Sequence, residues 1–394
     1  MDHGFEAMWA DLEPIGRDRR GGYRRFAWTG PDAQLREWFV AEARRRDLDT
    51  TLDRAGNLWA WWGDPDAAVA AGDPGVVAGS HLDSVPSGGA FDGPLGVVSA
   101  FAALDILRGQ DHTPARPIGV ACFADEEGAR FGVACAGSRV ITGALDADRA
   151  LALTDRDGVS LAEALRRHGR DPRDLGPDRD TLRRVGTFVE LHVEQGRGLV
   201  DLGRPVGVAT SIWPHGRWRV TLTGEANHAG TTPLPDRVDP MLDLAGLITG
   251  AREAAERHGV LATVGRIEVD PNGVNAIASQ VRAWLDCRGA DEDAVRSVLA
   301  DLAPYGPQSE SWTPATRFDP RLAHRLSTRL EDAPLLATGA GHDAGILSAA
   351  GIPTTMLFVR NPTGVSHSPA EHADSDDCLA GVDALAAVLT ELTR

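Results

Sequence analysis

Six polar side chains in this sequence are of the types that bind divalent metal ions, and each lies at the end of an apparent strand. They are three histidines and three carboxylates: His81, Asp92, Glu126, Glu127, His192 and His367. Neutral imidazole nitrogens and carboxylate oxygens are common ligands of such ions. A carboxylate can bridge two ions, and a site of this kind leaves a position open for water. The set is therefore what two divalent ions bridged by one carboxylate would need.

The stretch from Gly79 to Gly93 contains the first of these residues. His81 and Asp83 stand two positions apart after an apolar run at 76–78, so on an extended strand they point to the same side. Asp92 follows on a loop rich in Gly and Pro. Taken alone, these residues leave two interpretations open. Asp92 would bridge two metals while Asp83 holds the ring of His81, or His81 would simply cap or fill a polar loop.

The surrounding elements favour a shared site. The apolar run at 118–124 ends on Asp125 and Glu126, and the alternation at 188–193 contains His192. Continuous apolar runs are typical of strands covered on both faces, and their alternation with helical patterns predicts an α/β fold with a mostly parallel sheet. Sites in such folds lie at the carboxyl ends of strands. Each polar residue alone could be a solvated turn, but their common position at strand ends favours one site.

The pattern changes after Pro205. Strands are predicted at 218–223, 261–270, 280–288 and 308–315, with helices at 238–258 and 291–303. This order is βαββαβ, the ferredoxin-like arrangement of a small sheet with helices on one face. With 394 residues the chain exceeds the usual size of one domain. We therefore expect a catalytic domain formed by 1–207 and 319–394, with 208–318 inserted into it.

The composition limits the classes of partner and location. A formal net charge of −17 argues against nucleic acid and against anionic membranes. No apolar run approaches the ~20 residues of a membrane span, and the N-terminus lacks the features of a signal peptide. The four cysteines form no Cys-x-x-Cys pair, so neither a zinc ribbon nor a disulfide framework is expected. A reducing cytoplasm is the expected location.

Seven motifs together resemble one family. They are Gly79-Ser80-His81-Leu82-Asp83-Ser84, Gly89-Ala90-Phe91-Asp92-Gly93, Asp125-Glu126-Glu127-Gly128-Ala129-Arg130-Phe131, Glu190-Leu191-His192-Val193-Glu194-Gln195-Gly196, Asn227-His228-Ala229-Gly230-Thr231-Thr232-Pro233, Gly341-His342-Asp343-Ala344 and Ser366-His367-Ser368. Over nearly its whole length the chain resembles the dinuclear metallohydrolases related to aminoacylase and carboxypeptidase G. Within them it is similar to the branch that acts on ureido groups. The peptidase relatives have an Asp where this chain has His192, and His-x-Glu-Gln-Gly marks the ureido branch.

The resemblance implies a role for each residue. It implies two divalent ions per subunit, Zn or Mn, with Co or Ni as alternatives. Asp92 would bridge the ions, His81 and His192 would bind one, and Glu127 and His367 the other. Glu126 would be the general base, with Asp83 behind the metal ligands. The implied substrate contacts are Gln195, His228, Asn275 and Arg288.

The resemblance also implies an assembly and a reaction. The inserted domain would be a lid and dimerisation domain, and His228 would reach the partner's site to stabilise an oxyanion. We expect a homodimeric hydrolase that cleaves the ureido C–N bond of a small carboxylate. Allantoate is the first candidate, giving ureidoglycine, ammonia and CO2. Alternatives are an N-carbamoyl-L-amino acid hydrolase or a β-ureidopropionase, a peptidase or deacylase, and a catalytically silent metal-binding protein, which would have no need of Glu126 as a base.

Overall fold

The computed structural model describes residues 4–394, and the chain divides into two compact units. The large unit comprises the chain up to Thr210 together with Arg317–Arg394, and the small unit is Ser211–Thr316. Among the described residues, no helix combines the length and apolar character needed to cross a membrane. The four cysteines are buried and free. The functional division into a catalytic and an inserted domain at 208–318 stays a prediction, because compactness says nothing about the role of either unit.

The large unit contains most of the helices. Its helices are α1 (Phe5–Leu12), α2 (Gly30–Arg45), α3 (Pro65–Ala71), α4 (Pro94–Gly109), α5 (Ala136–Thr142), α6 (Ala147–Ala152), α7 (Leu161–Arg167), α8 (Arg179–Arg183), α9 (Gly198–Leu202), α12 (Pro320–Arg329), α13 (Asp343–Ala349) and α14 (Ser375–Leu392). Its strands are β1 (Asp49–Leu52), β2 (Leu58–Trp62), β3 (Gly75–His81), β4 (Ile118–Phe123), β5 (Val185–Val193), β6 (Val206–Ile212), β13 (Thr316–Arg317), β14 (Leu335–Thr338) and β15 (Thr354–Val359).

These strands form one mixed sheet in the order β1-β2-β4-β3-β5-β15-β6-β13, with β14 also paired to β6. The four central strands β4, β3, β5 and β15 run parallel to one another, whereas β2 pairs antiparallel with β4 and β6 pairs antiparallel with β15. The predicted α/β class with a mainly parallel sheet is confirmed. Parallel central strands place their carboxyl ends at one edge, which is where the polar residues follow them.

The core explains why the central strands are apolar along their whole length. All residues of β3 and β4 are buried, as expected for strands covered on both faces. Helix α4 is buried along nearly all of its length and packs on β3, β5 and α14. It begins with Pro94, whose fixed φ suits the first turn of a helix. The loop that contains Asp92 is therefore fixed between a buried strand and a buried helix.

The small unit has a sheet and two long helices of its own. Its elements are β7 (His215–Thr223), β8 (Asn227–His228), α10 (Pro240–His258), β9 (Leu261–Asp270), β10 (Ala276–Ile277), β11 (Gln280–Arg288), α11 (Glu292–Asp301) and β12 (Gln308–Thr313). The four long strands form an antiparallel sheet in the order β12-β7-β11-β9, and β8 pairs with β10. Alternate residues of β7 and β11 are buried in a core shared with α10 and α11. This is the βαββαβ arrangement predicted from the sequence.

Candidate metal centre and active site

The carboxyl ends of β3, β4 and β5 bring four of the six sequence-predicted metal-site residues together, and two loops bring Asp92 and His367. His81 is the last residue of β3 and lies opposite Phe123 of β4, two positions before Asp125. His192 lies near the end of β5, opposite Phe358 of β15. His367 follows β15 on a loop. The register of the parallel strands therefore gathers side chains that lie far apart in the sequence.

Asp92 lies between two groups of potential ligands. Its Oδ1 is 3.1 Å from Nε2 of His192 and 3.6 Å from Nε2 of His81. Its Oδ2 is 3.3 Å from Nε2 of His367, and that nitrogen is 3.6 Å from Oε2 of Glu127. Asp92 with His81 and His192 thus forms one cluster of ligand atoms, and Asp92 with Glu127 and His367 forms a second. One carboxylate shared by two clusters is the geometry expected of a bridging ligand.

The chain leaves little room around these groups. The φ of Gly93 is +86°, and a Cβ atom there would lie 2.4 Å from Cε1 of the His81 ring. Only glycine allows the backbone to pass the imidazole at this distance with that φ. The close approach of Gly93 thus keeps Asp92 next to His81.

The donor atoms of the first cluster fit a divalent cation. Nδ1 of His81 is 3.1 Å from the carbonyl oxygen of Asp83, and Nδ1 of His192 is 2.9 Å from that of Val193. Each Nδ1 is thus held by a carbonyl oxygen, which turns the Nε2 of each ring toward Asp92, where it could bind a cation. Both Nε2 atoms are buried and have no hydrogen-bond partner among the described residues. Two unpartnered ring nitrogens beside a carboxylate are what a bound cation would satisfy.

The electrostatics also indicate a need for positive charge. Burial and the charge of Asp92 raise the pKa of Glu127 to about 7. Burial raises the pKa of Glu126 well above its usual range, only partly opposed by His81. Burial opposes the charge of Asp92, but contacts with His192, His367 and His81 keep its pKa well below the usual range. The carboxylates are thus crowded beyond what the histidines alone stabilise, and bound cations would relieve the repulsion.

Glu126 and Glu127 turn to different sides of the same loop. Oε2 of Glu126 lies 3.7 Å from Nε2 of His81, whereas Oε2 of Glu127 faces His367. The other oxygen of Glu126 accepts a hydrogen bond from the thiol of Cys135, at 3.3 Å. Neighbouring carboxylates with different partners can take different roles, one toward a metal and one toward a water.

Asp83 contacts both His81 and the Glu126 loop. Its carbonyl oxygen accepts from the His81 ring, and its Oδ1 lies farther away, 3.5 Å from Nδ1. The carboxylate instead accepts hydrogen bonds from the main-chain N–H groups of Glu126 and Glu127, each at 3.1 Å. The sequence predicted the link to His81 but not the link to the two glutamates.

Gln195 contacts the bridging carboxylate directly. Its Nε2 donates to Oδ2 of Asp92 at 3.1 Å and to Oγ of Ser366 at 3.0 Å. Its Oε1 is buried without a hydrogen-bond partner among the described residues. Gln195 therefore lies beside the clusters, and its contact with a substrate stays a prediction.

Three further residues at the site received no role in the sequence-based predictions. The ring of buried His342 lies 4.5 Å from that of His192, and its Nε2 has no hydrogen-bond partner in the described part of the chain. Burial and the charge of His192 lower the pKa of His342 well below its usual range, so the ring is neutral. Glu190 accepts from Ser80 and from the N–H of Ala344, and buried Asp343 accepts from Ser138. A glutamate inside the apolar alternation 188–193 was the available signal.

The remaining predicted substrate contacts belong to the small unit. His228 is exposed on β8, and the N–H of Gly230 donates to its Nδ1 at 3.0 Å. Asn275 is exposed one position before β10, and its carbonyl oxygen accepts from Ala229. Arg288, at the end of β11, donates through Nε and Nη2 to the carboxylate of Asp286, at 2.7 and 2.6 Å. His228 and Asn275 are thus neighbours, whereas Arg288 lies at the far end of the sheet.

Comparison with known proteins places the chain in a family. The model of peptidase family M20/M25/M40 matches residues 77–391. The chain is 35% identical to an N-carbamoyl-L-amino acid amidohydrolase of Geobacillus stearothermophilus, with 99% of this chain and 98% of that protein covered. It is 32% identical to an allantoate amidohydrolase of Escherichia coli strain K12, over 97% of this chain and 95% of that protein.

A solved structure agrees with these matches. The crystal structure of a hydantoinase/carbamoylase family amidase from Burkholderia vietnamiensis superposes with a TM-score of 0.87 at 28% identity. The match covers 99% of this chain and 97% of that one. The predicted resemblance is therefore confirmed, and the chain belongs to peptidase family M20/M25/M40, within its branch of hydrolases that are related to N-carbamoyl-L-amino acid and allantoate amidohydrolases and act on C–N bonds.

Proposed function

We propose that this protein hydrolyses the ureido C–N bond of a small carboxylate, with two divalent ions bound per chain. The observation that carries the proposal is the position of Asp92, which presents one oxygen to His81 and His192 and the other to His367 and Glu127. Zn and Mn are the first candidate ions, with Co or Ni as alternatives. When bound, such ions polarise a carbonyl and lower the pKa of bound water.

Glu126 is the proposed general base. It is buried, and its Oε2 faces the cluster while Oε1 is held by the Cys135 thiol. Its carboxylate would take a proton from the attacking water and deliver it to the leaving nitrogen, which must depart as an amine. A ureido carbonyl is a poor electrophile because of resonance, so a base and an electrophile are both needed. This role also distinguishes the proposal from a catalytically silent metal-binding protein.

His228 is the proposed donor to the developing oxyanion. Its Nδ1 accepts the N–H of Gly230, so the neutral ring carries its proton on Nε2. An exposed Nε2–H is a hydrogen-bond donor available to a substrate oxygen. Asn275 lies beside it across the β8–β10 pair and would contact the same end of the substrate.

Arg288 is the proposed partner of the substrate carboxylate. The carboxylate of Asp286 holds one edge of its guanidinium and so fixes the direction of the side chain. A guanidinium has the fork geometry of N–H donors that carboxylates favour. Gln195, beside Asp92, would contact the carbamoyl group.

The register of the small sheet supports a site built by two subunits. Arg288 of β11 pairs with His215 at one end of the β7–β11 pair, and Gln280 pairs with Thr223 at the other. Beyond that second end, the Gly224–Ser279 hydrogen bond leads to the separate β8–β10 pair of His228 and Ala276. Strand β11 alone, from Gln280 to Arg288, spans about 26 Å. A small substrate cannot contact both ends of that ribbon. His228 and Arg288 at one substrate would therefore come from different copies of the chain, which makes a homodimer part of the proposal.

The small unit offers a surface for such a dimer. Among residues 4–394, strand β9 pairs with β11 alone and ends the small sheet, so its outer edge presents main-chain groups for pairing. Leu261 and Ile267 on this strand are exposed, as are Leu242 and Ile248 on α10. Exposed aliphatic side chains at a sheet edge are typical of an interface. We propose that two small units pair here and that the small unit also acts as the lid.

A substrate panel tests the reaction. Allantoate is our first candidate and would give ureidoglycine, ammonia and CO2, and N-carbamoyl-L-amino acids are the second. Identities of 35% and 32% to the two kinds of relative do not decide between them. The panel also contains N-carbamoyl-β-alanine, N-acetyl amino acids and dipeptides, and ammonia and amine release are measured after loading with Mn²⁺ or Zn²⁺. Turnover of only the acyl or peptide substrates would overturn the proposal. The cytoplasmic location stays a prediction.

A further inference from the structure

A buried carboxylate behind the two clusters connects the loops that carry Asp92 and His367. Oε1 of Glu371 accepts the main-chain N–H groups of Phe91 and Asp92, each at 2.9 Å. Its Oε2 accepts the hydroxyl of Ser366 at 3.0 Å. Glu371 is 5% exposed and lies nearly 280 residues after Asp92 in the sequence. One side chain therefore links two segments from opposite ends of the large unit.

The Asp92 side of this link is tightly packed. A Cβ atom on Gly89 would lie 2.2 Å from Oε1 of Glu371, so the loop admits no side chain where it passes the carboxylate. The two N–H groups that Glu371 accepts belong to consecutive residues, and the second of them is the main chain of Asp92 itself. Holding this N–H fixes the backbone from which the bridging side chain extends.

The His367 side needs an external anchor. His367 lies on a loop between β15 and α14, its side chain is 53% exposed, and its φ is +55°. A non-glycine residue in that region is held there by its surroundings, because the conformation is unfavourable by itself. The neighbouring Ser366 is bound to Glu371, and the N–H of Glu371 donates to the carbonyl of Ser368 at 3.1 Å. These two bonds lie on both sides of His367.

The hydrogen bonds of Glu371 also lead to the side-chain carboxylate of Asp92. Oγ of Ser366 accepts the amide of Gln195 at 3.0 Å, and the same amide donates to Oδ2 of Asp92. Glu371, Ser366 and Gln195 thus form a chain of hydrogen bonds that ends on the oxygen facing His367. In metal sites, groups that orient the ligands typically change metal affinity or activity by about 10- to 100-fold when they are removed.

We infer that Glu371 is a positioning residue that sets the distance between the bridging carboxylate of Asp92 and His367, and so determines how tightly the ion at Asp92, Glu127 and His367 is held. The inference rests on the proposed metal site. Glu371 is not among the proposed substrate contacts, and its effect would pass through the main chain of Asp92 and through Ser366.

The experiment measures metal binding as well as activity. Mn²⁺ is titrated into metal-free protein, and stoichiometry and Kd are measured for wild type, Glu371→Ala, Glu371→Gln and Ser366→Ala. Glu371→Ala should weaken binding of one of the two ions about 10- to 100-fold. Glu371→Gln should lose less metal affinity, because its amide oxygen can still accept hydrogen bonds from the two main-chain N–H groups. Ser366→Ala should weaken binding of the same ion. This variant still tests the inference if Glu371→Ala does not fold.

Asp53→Asn is the matched control. Asp53 is also a buried carboxylate that accepts two main-chain N–H groups, from Ala55 and Asn57, each at 2.9 Å. Its other acceptor contacts are to Asn57 and Trp59. Asp53→Asn should lower the unfolding temperature of the metal-free protein without changing either Kd.

Two results would overturn the inference. Wild-type affinity for both ions in Glu371→Ala, or in both other variants, would show that Glu371 positions nothing. If Asp53→Asn and Glu371→Ala lowered stability equally and also weakened metal binding equally, Glu371 would act only through general stability. If wild type itself bound no metal, the proposed function would fail first, and that outcome is distinct from either of these.

Discussion

The main-chain N–H of Glu126 donates to the carboxylate of Asp83, with 3.1 Å between the nitrogen and Oδ1. The N–H of Glu127 donates to Oδ2 of the same carboxylate at the same distance. Asp83 thus holds the loop of the proposed base and the proposed ligand, and its carbonyl oxygen holds the ring of His81. Asp83, in the loop that follows β3, therefore orients both the end of β3 and the loop that follows β4.

Asp83→Asn should slow turnover about 10- to 100-fold. An amide has one acceptor oxygen, so one of the two N–H groups of the Glu126 loop would lose its partner, while the carbonyl contact to His81 remains. We expect kcat to fall more than metal content, as measured by steady-state kinetics and elemental analysis of the same sample. This role would be contradicted if Asp83→Asn lost metal while the molecules that still contain both ions kept the wild-type kcat.

Glu126→Gln and Glu127→Gln should separate the base from the ligand. Glu126 faces the cluster without being one of the grouped ligands, so its amide variant should retain both ions and lose at least ~100-fold in kcat. Glu127 belongs to the Asp92–His367 group, so its variant should lose one ion. Metal content and kcat are measured side by side. Equal metal loss in both variants would disprove the division of roles.

Removal of metal should abolish activity and lower stability. The buried Nε2 atoms of His81 and His192 lack partners without a cation, and the carboxylates repel one another. A ligand that binds only the folded state stabilises it by about 2.7 kcal/mol at 100 times its Kd. Dialysis against a chelator should therefore lower the unfolding temperature, and Mn²⁺ or Zn²⁺ should restore both stability and turnover. Full activity in protein shown to be metal-free would refute the mechanism.

Two inactive variants should restore activity when their subunits exchange. In a mixed dimer of His228→Ala and Glu126→Gln, one site would combine an intact Glu126 with the partner's intact His228. Each mixed dimer should then show about half of the wild-type rate, because one of two sites is complete. The measurement is ammonia release before and after exchange.

A matched control uses two residues that lie together. His228 and Asn275 neighbour each other across the β8–β10 pair, so they would serve the same site. Mixing His228→Ala with Asn275→Ala should therefore leave every site incomplete and restore nothing. Recovery in this control, or none with Glu126→Gln despite proven exchange, would rule out the two-subunit arrangement.

Arg288→Ala should weaken catalysis for carboxylate substrates selectively. A charge-assisted contact contributes about 1.5–3 kcal/mol, or roughly 10- to 150-fold in kcat/KM. An amidated analogue lacks the charge and should lose little. Asp286→Asn is the second variant to measure, because Asp286 pairs with Arg288 and its amide would leave the guanidinium less well oriented. Equal losses on both substrates would assign Arg288 a structural role on β11.

The sequence alone predicted the class of fold, which the structure confirms, and grouped six residues as candidate metal ligands. Continuous apolar runs at β3 and β4 and the alternation at 218–223 reflect burial on two faces or one, which a linear pattern records directly. The six polar residues could be grouped because parallel strands end at one edge. The helices at 240–258 and 292–301 and the strands between them also followed from periodicity.

The tertiary structure decided which groups orient the site. Glu371 and Asp92 are 279 positions apart, and no local pattern encodes a contact over that separation. The partners of the Asp83 carboxylate depend on the loop after β4, and the orientation of the His81 and His192 rings depends on the carbonyl groups that hold each Nδ1. The separation of His228 from Arg288 follows from strand register, which pairs residues far apart in sequence. Burial periodicity is a local property of the chain, whereas register and loop packing are set by non-local contacts.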